Sequence, residues 1–115
     1  MPKNYSMSYK VQAIPQFEKE LKRLSKKYLS LKNEYLKLVL SLKKQPVQGT
    51  ALGNNCFKIR LSIASKGKGK SGGARVITYI HLVQSEVYLL TIFDKSEVEN
   101  IPDKELTGLL KWIPA

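Results

Sequence analysis

The sequence predicts an α+β domain: a small, mainly antiparallel sheet of about four strands, with a helical hairpin near the N-terminus and a short helix at the C-terminus. Three observations predict it. Apolar residues between 17 and 42 recur at helical spacing. Three later runs alternate or are rich in β-branched residues, and short connections join them. An apolar set at 106–113 then returns to helical spacing. At 115 residues the chain makes one domain, long enough to bury a modest core without disulfides.

Residues 1–8 read as a tail and residues 9–115 as the domain. Tyr9–Ile14 reads as a short first strand, closed by Pro15, which suits a helix's first turn. Phe17, Leu21, Leu24 and Tyr28 then share one helix face, opposite Lys19, Lys22, Arg23, Lys26 and Lys27. Ser30 can cap a second helix whose face is Leu31, Tyr35, Leu38, Val39 and Leu42, and Gln45-Pro46 ends it. So short a link between the two patterns predicts antiparallel packing. Leu36 and Leu40 lie one turn apart, off that face. Either they widen a buried stripe, or they line an exposed groove for a partner helix.

Residues 47–56 read as a polar turn region. In the strand that follows, Phe57, Ile59, Leu61 and Ile63 face one way and Lys58, Arg60 and Ser62 the other. After a Lys/Gly loop, 74–82 forms a second strand with Arg75, Ile77, Tyr79 and His81 on one side. Residues 87–93 are apolar on both faces, which predicts a central strand. Connections this short make an antiparallel meander. Asn100, Pro102 and Asp103 resemble a helix start, and Leu106, Leu109, Leu110 and Ile113 supply its apolar face.

Charge separates this chain from an ordinary soluble domain. The net charge is +11, and it is uneven: residues 1–75 hold 17 Lys/Arg against 3 Asp/Glu. The stretch from Lys58 to Arg75, KIRLSIASKGKGKSGGAR, contains six Lys/Arg and no acidic residue. Such a hairpin suits a polyanion, nucleic acid first. One cysteine and one histidine make thiol metal clusters, disulfides and His-based nucleophile pairs poor readings. No apolar run approaches a membrane span and no secretory leader is evident, so a cytoplasmic protein is expected. Gly69-Lys70-Ser71 invites a phosphate-loop reading, but the required glycine five residues earlier is Ala64, and the loop leads into a strand.

What remains is a basic face on a sheet. Lys58 and Arg60 project from one side of their strand, Arg75 enters the next, Tyr79 shares its side, and Lys95 follows the last strand. Lys66, Lys68 and Lys70 on the loop would meet RNA phosphates. Such a set can hold a phosphodiester and stabilise charge developing on it. Crowded cations also disfavour one another's charge, which can supply a base without histidine. Docking without cleavage fits the same residues.

With FEKELKRLSKKY early, KIRLSIASKGKGKSGGARVI in the middle and YLLTIFDKSEVENI late, the chain resembles the RelE/ParE/HigB toxin superfamily over about residues 9–112. It is most similar to the HigB/RelE-type toxins of type II toxin–antitoxin modules. The resemblance implies a mixed sheet with the helical hairpin on one face. It implies a ribosome-dependent endoribonuclease, an mRNA interferase working without metal or other cofactor on translated mRNA and neutralised by a cognate antitoxin. By position, Lys58, Arg60 and Arg75 match the family's basic catalytic strands, and Lys95 matches the basic residue after the last strand. Tyrosines that family members often carry are replaced by Thr78 and Phe93. The ParE branch poisons DNA gyrase, so a gyrase inhibitor without nuclease activity is the alternative, with a non-catalytic RNA-binding relative behind it.

Overall fold

The computed structural model describes residues 8–67 and 72–114, and the tail expected at 1–8 falls, apart from Ser8, outside them. Strand β1 (Lys10–Ala13) leads into helices α1 (Pro15–Lys27) and α2 (Leu31–Lys44). Pro15 opens α1, Glu18 lies in its first turn and Lys26 and Lys27 in its last, all in keeping with the helix dipole. α2 repeats the charge pattern with Glu34 and Lys43–Lys44. Ser30 stands before α2 as expected, yet its side chain caps no α2 backbone group.

Strands β2 (Thr50–Gly53), β3 (Cys56–Leu61), β4 (Ala74–His81) and β5 (Glu86–Asp94) follow, and α3 (Asp103–Leu110) closes the chain. The sheet has five strands in the order β1-β5-β4-β3-β2, against the expected four or so. β1 runs parallel to β5 and the other pairs are antiparallel. The extra strand is β2, inside the segment read as a turn. It is four residues long and mostly exposed, so it carries no apolar alternation to announce it. Asn54 and Asn55, both at positive φ, make the two-residue turn into β3, the geometry a tight hairpin requires. The middle strand is β4; β5, expected at the centre, lies between it and β1.

Both faces of β4 and β5 are covered. On one, Phe17, Leu24, Leu31, Leu38 and Leu42 of the helices pack on Ile59, Val76, Ile80, Val87, Leu89 and Ile92. On the other, Ile101, Leu106 and Leu109 pack over Ile77, Leu90 and Phe93. Each such side chain contributes about 1.5–3 kcal/mol by leaving water. Arg60, at the end of β3, remains exposed because β2 pairs no further along β3 than Lys58.

Candidate functional site

Cross-strand register builds the site. Arg60 on β3 stands directly opposite Arg75 on β4, and Lys58 opposite Ile77. Residues paired in this way share a sheet face, so Lys58, Arg60 and Arg75 stand on the face that α3 covers further along. Arg75 is paired on its other side with Phe93 of β5. Two residues on, Lys95 extends the ladder by donating its backbone N–H to the Gly73 carbonyl at 3.0 Å. Lys58 and Lys95 converge on one short segment: Lys58 Nζ donates to Asn100 Oδ1 at 3.4 Å, and Lys95 Nζ to the Glu99 carbonyl at 3.2 Å. The same Asn100 oxygen accepts the Ile101 N–H at 3.0 Å, which fixes the turn into α3.

Arg75 is buried, at 6% exposure, although it belongs to the basic face. It lies between β3 and β5 on a strand buried from both sides, and its Nη1 donates to the Ala74 carbonyl at 3.2 Å. Burial first, and the charge of Arg60 second, push its guanidinium below its ordinary pKa. Gly73 sets where β4 begins, because a Cβ there would collide with the backbone carbonyl of Leu61.

Lys66 departs from its expected place among the RNA contacts. It ends a single 3₁₀ turn, Ala64–Lys66, and its side chain, 8% exposed, points inward to an ion pair with the fully buried Asp94. The reason is local. Ala64 donates its N–H to Glu34 and Ser65 donates its own to Ser30, so the turn is pinned to the start of α2 with Lys66 directed at the sheet. Asp94 also accepts bonds from Ser96 and from the Tyr28 hydroxyl, the latter at 2.6 Å. Burial by itself would raise that carboxyl, but the bonds from Lys66, Ser96 and Tyr28 outweigh it and hold the pKa well below the usual carboxylate range. Lys68 and Lys70 lie outside the described residues.

Tyr79 shares the face of Arg75 but sits four residues along β4, roughly 13 Å away at strand rise. It packs instead beside Tyr88 and His81, each at a ring separation of 6.4 Å. On the opposite side of the molecule Leu36 and Leu40 are 51% and 63% exposed, so they do not widen a buried stripe. A groove of about 530 Å³ runs between α1 and α2, lined by Leu21, Lys22, Lys26, Lys32, Tyr35 and Leu36 among others. Sequence reasoning missed Asp94 and Gly73, and read Asn100 as a helix start without its contact to Lys58. An acidic residue ending an apolar strand, in a chain this basic, was the available signal for Asp94.

Among the described residues no helix is long and apolar enough to cross a membrane, and no three His, Cys, Asp or Glu side chains group as metal ligands.

The sequence model of a family described as "RelE toxin of RelE / RelB toxin-antitoxin system" matches residues 9–113. Among solved structures, a double arginine-to-alanine mutant of Escherichia coli RelE in the free state is similar with a TM-score of 0.62 at 15% identity, over 94% of this chain and 100% of that one. The toxin–antitoxin complex RelBE2 of Mycobacterium tuberculosis gives 0.55 at 14% identity, over 80% and 97%. An archaeal RelE–RelB complex from Pyrococcus horikoshii gives 0.51 at 19% identity, over 80% and 100%. At these identities the structural likeness speaks for the fold, and the family match for kinship.

Proposed function

The chain belongs to the RelE toxin family, within the RelE/ParE superfamily, and on that footing we propose that it is the toxin of a type II toxin–antitoxin module and cleaves translated mRNA on the ribosome. The observation that supports this reading best is the Arg60–Arg75 pair. Like charges set directly opposite on neighbouring strands destabilise a sheet, and here one of the two is buried as well. A phosphodiester between them would relieve that cost. Two guanidiniums can bind its oxygens in the planar, forked manner that an ammonium lacks.

In the proposed reaction the ribose 2′-hydroxyl attacks the adjacent phosphorus. Its proton goes to a base, the P–O5′ bond breaks, and the departing 5′ oxygen takes a proton, leaving a 2′,3′-cyclic phosphate. Arg60 and Arg75 stabilise the charge that grows on the phosphate. Lys58 and Lys95, which meet at Glu99–Asn100, are assigned as the proton carriers, one on the side of the 2′ oxygen and the other on the side of the departing 5′ oxygen. Lys68 and Lys70 are assigned to the RNA backbone, and Tyr79 to RNA at a distance from the reacting phosphate.

The partner is an antitoxin of the RelB kind, as in the complexes of the two relatives above. The exposed leucines and the Lys22, Lys26 and Lys32 rim of the α1–α2 groove suit an acidic amphipathic segment. The test is purified toxin on translating ribosomes. Cleavage of message, absent on naked RNA and abolished by the antitoxin, supports the reading. Intact message with inhibited DNA gyrase would replace it with the ParE-like alternative, and binding without either effect with an RNA-binding relative.

A further inference from the structure

Behind the basic face, on the helix side of the sheet, lies a buried polar cluster that the proposed chemistry does not use. Asp94 is fully buried at the end of β5, opposite Ala74 at the start of β4. Its Oδ1 accepts from Lys66 Nζ, from the Ser96 N–H at 2.9 Å and from Ser96 Oγ at 2.6 Å, and its Oδ2 accepts from the Tyr28 hydroxyl at 2.6 Å. Lys66 Nζ reaches on to Ser96 Oγ at 3.2 Å and to the Gly73 carbonyl at 3.5 Å. That carbonyl also accepts the backbone N–H of Lys95. One continuous chain of bonds therefore joins the carboxylate to Lys66 and Gly73, and through Gly73 to both flanks of the site. Gly73 lies two residues before Arg75, and Lys95 adjoins Asp94.

We propose that Asp94 is the positioning residue of the basic site: through Lys66, Ser96 and Gly73 it fixes from behind the sheet where Arg75 and Lys95 stand. An apolar residue at 94 would fill the same space but would order neither Lys66 nor the backbone of 95 and 96. A fully satisfied buried network specifies one arrangement where an apolar contact tolerates several. Displacement of about 1 Å at a reacting centre is enough to cost on the order of 100-fold in rate, so a lock on Gly73 matters to any reaction using Arg75 and Lys95. The inference rests on the nuclease reading for its functional consequence, and on the bond network alone for the lock.

The experiment uses the full chain and the variants Asp94→Asn, Lys66→Met and their double. Cleavage on translating ribosomes is resolved into kcat and KM, RNA affinity is followed against salt, and amide exchange is read at Lys95. The expected result is a kcat about 10- to 100-fold lower in each folded single variant, with unchanged KM and salt dependence, faster exchange at Lys95, and a double variant no worse than the worse single. Wild-type kcat in folded variants overturns the proposal. So does a loss confined to KM with a flatter salt dependence, which would mean that Lys66 meets RNA directly. If Asp94→Asn does not fold, Lys66→Met carries the same test, because Ser96 and Tyr28 still hold the carboxylate. If the wild-type protein cleaves no message, the nuclease reading alone fails, and the Lys95 amide decides the lock: unchanged exchange in the variants overturns it.

Discussion

Arg60 and Arg75 face each other across β3 and β4, one exposed and one buried, with no strand position between them. A directly opposed like-charge pair is a local cost of a few tenths to about 1 kcal/mol. Arg60→Gln should therefore stabilise the free protein by about 0.2–1 kcal/mol while weakening its action on RNA, the exchange expected where a site is kept at the expense of the fold. Urea unfolding in low-phosphate buffer measures the first effect. A variant that is both less stable and less active would show that Arg60 is paired favourably within the protein.

Burial changes what removal of Arg75 does. Its truncation leaves a gap between β3 and β5 where Phe93 and Arg60 now flank it, so Arg75→Ala should cost about 1–3 kcal/mol in stability. It should also lower the cleavage rate by about 10²–10³, as loss of one preorganised donor to a developing oxyanion does. Arg75→Lys should recover part of the stability and little of the rate, because an ammonium cannot make the forked contact. Full activity in a folded Arg75→Ala protein would move the chemistry to another residue.

The sequence made the α+β class, both long helices and four of the five strands legible, most clearly where an element buries a face of regular period: Phe17 and Leu24 at helical spacing, Phe57 to Ile63 in alternation. β2 was illegible for the opposite reason, since an exposed edge strand needs no regular apolar face and Thr50–Gly53 turns only Leu52 toward the core. The basic set was legible as composition and as strand parity. What parity could not reveal is depth. Arg75 is buried because β5 lies on its far side, and Lys66 turns inward because Asp94, 28 residues later, waits behind the sheet. Both facts belong to pairings between distant segments, which one segment's pattern does not encode.

The carboxyl of Asp94 makes a pH prediction. Its folded pKa is depressed, so its contribution to stability is complete above the unfolded value near 3.9 and is lost as pH falls through the folded value. Removing one partner of a buried ion pair costs about 3–5 kcal/mol. The stability gap between wild type and Asp94→Asn should therefore be of that order and flat from pH 7 to about pH 5, and should shrink below about pH 4. Urea titrations across pH 2–7 give the curve. A gap that closes between pH 7 and pH 5 would contradict the assignment.

Leu36 and Leu40 are exposed, so replacing them removes no core contact. Leu36→Glu and Leu40→Glu should each change stability by less than about 0.5 kcal/mol, and should weaken antitoxin binding about tenfold or more, a loss of about 1.4 kcal/mol. Calorimetric titration against the antitoxin measures this. Undiminished affinity in both folded variants would place the interface elsewhere.

The most direct measurement is the mapping of mRNA 5′ ends after brief induction of the wild-type protein, beside induction of Arg75→Ala. A ribosome-dependent nuclease should leave new ends confined to translated regions of messages, dependent on active translation, and absent with the variant. Intact messages accompanied by DNA breaks, or ends that appear equally in untranslated RNA, would contradict it.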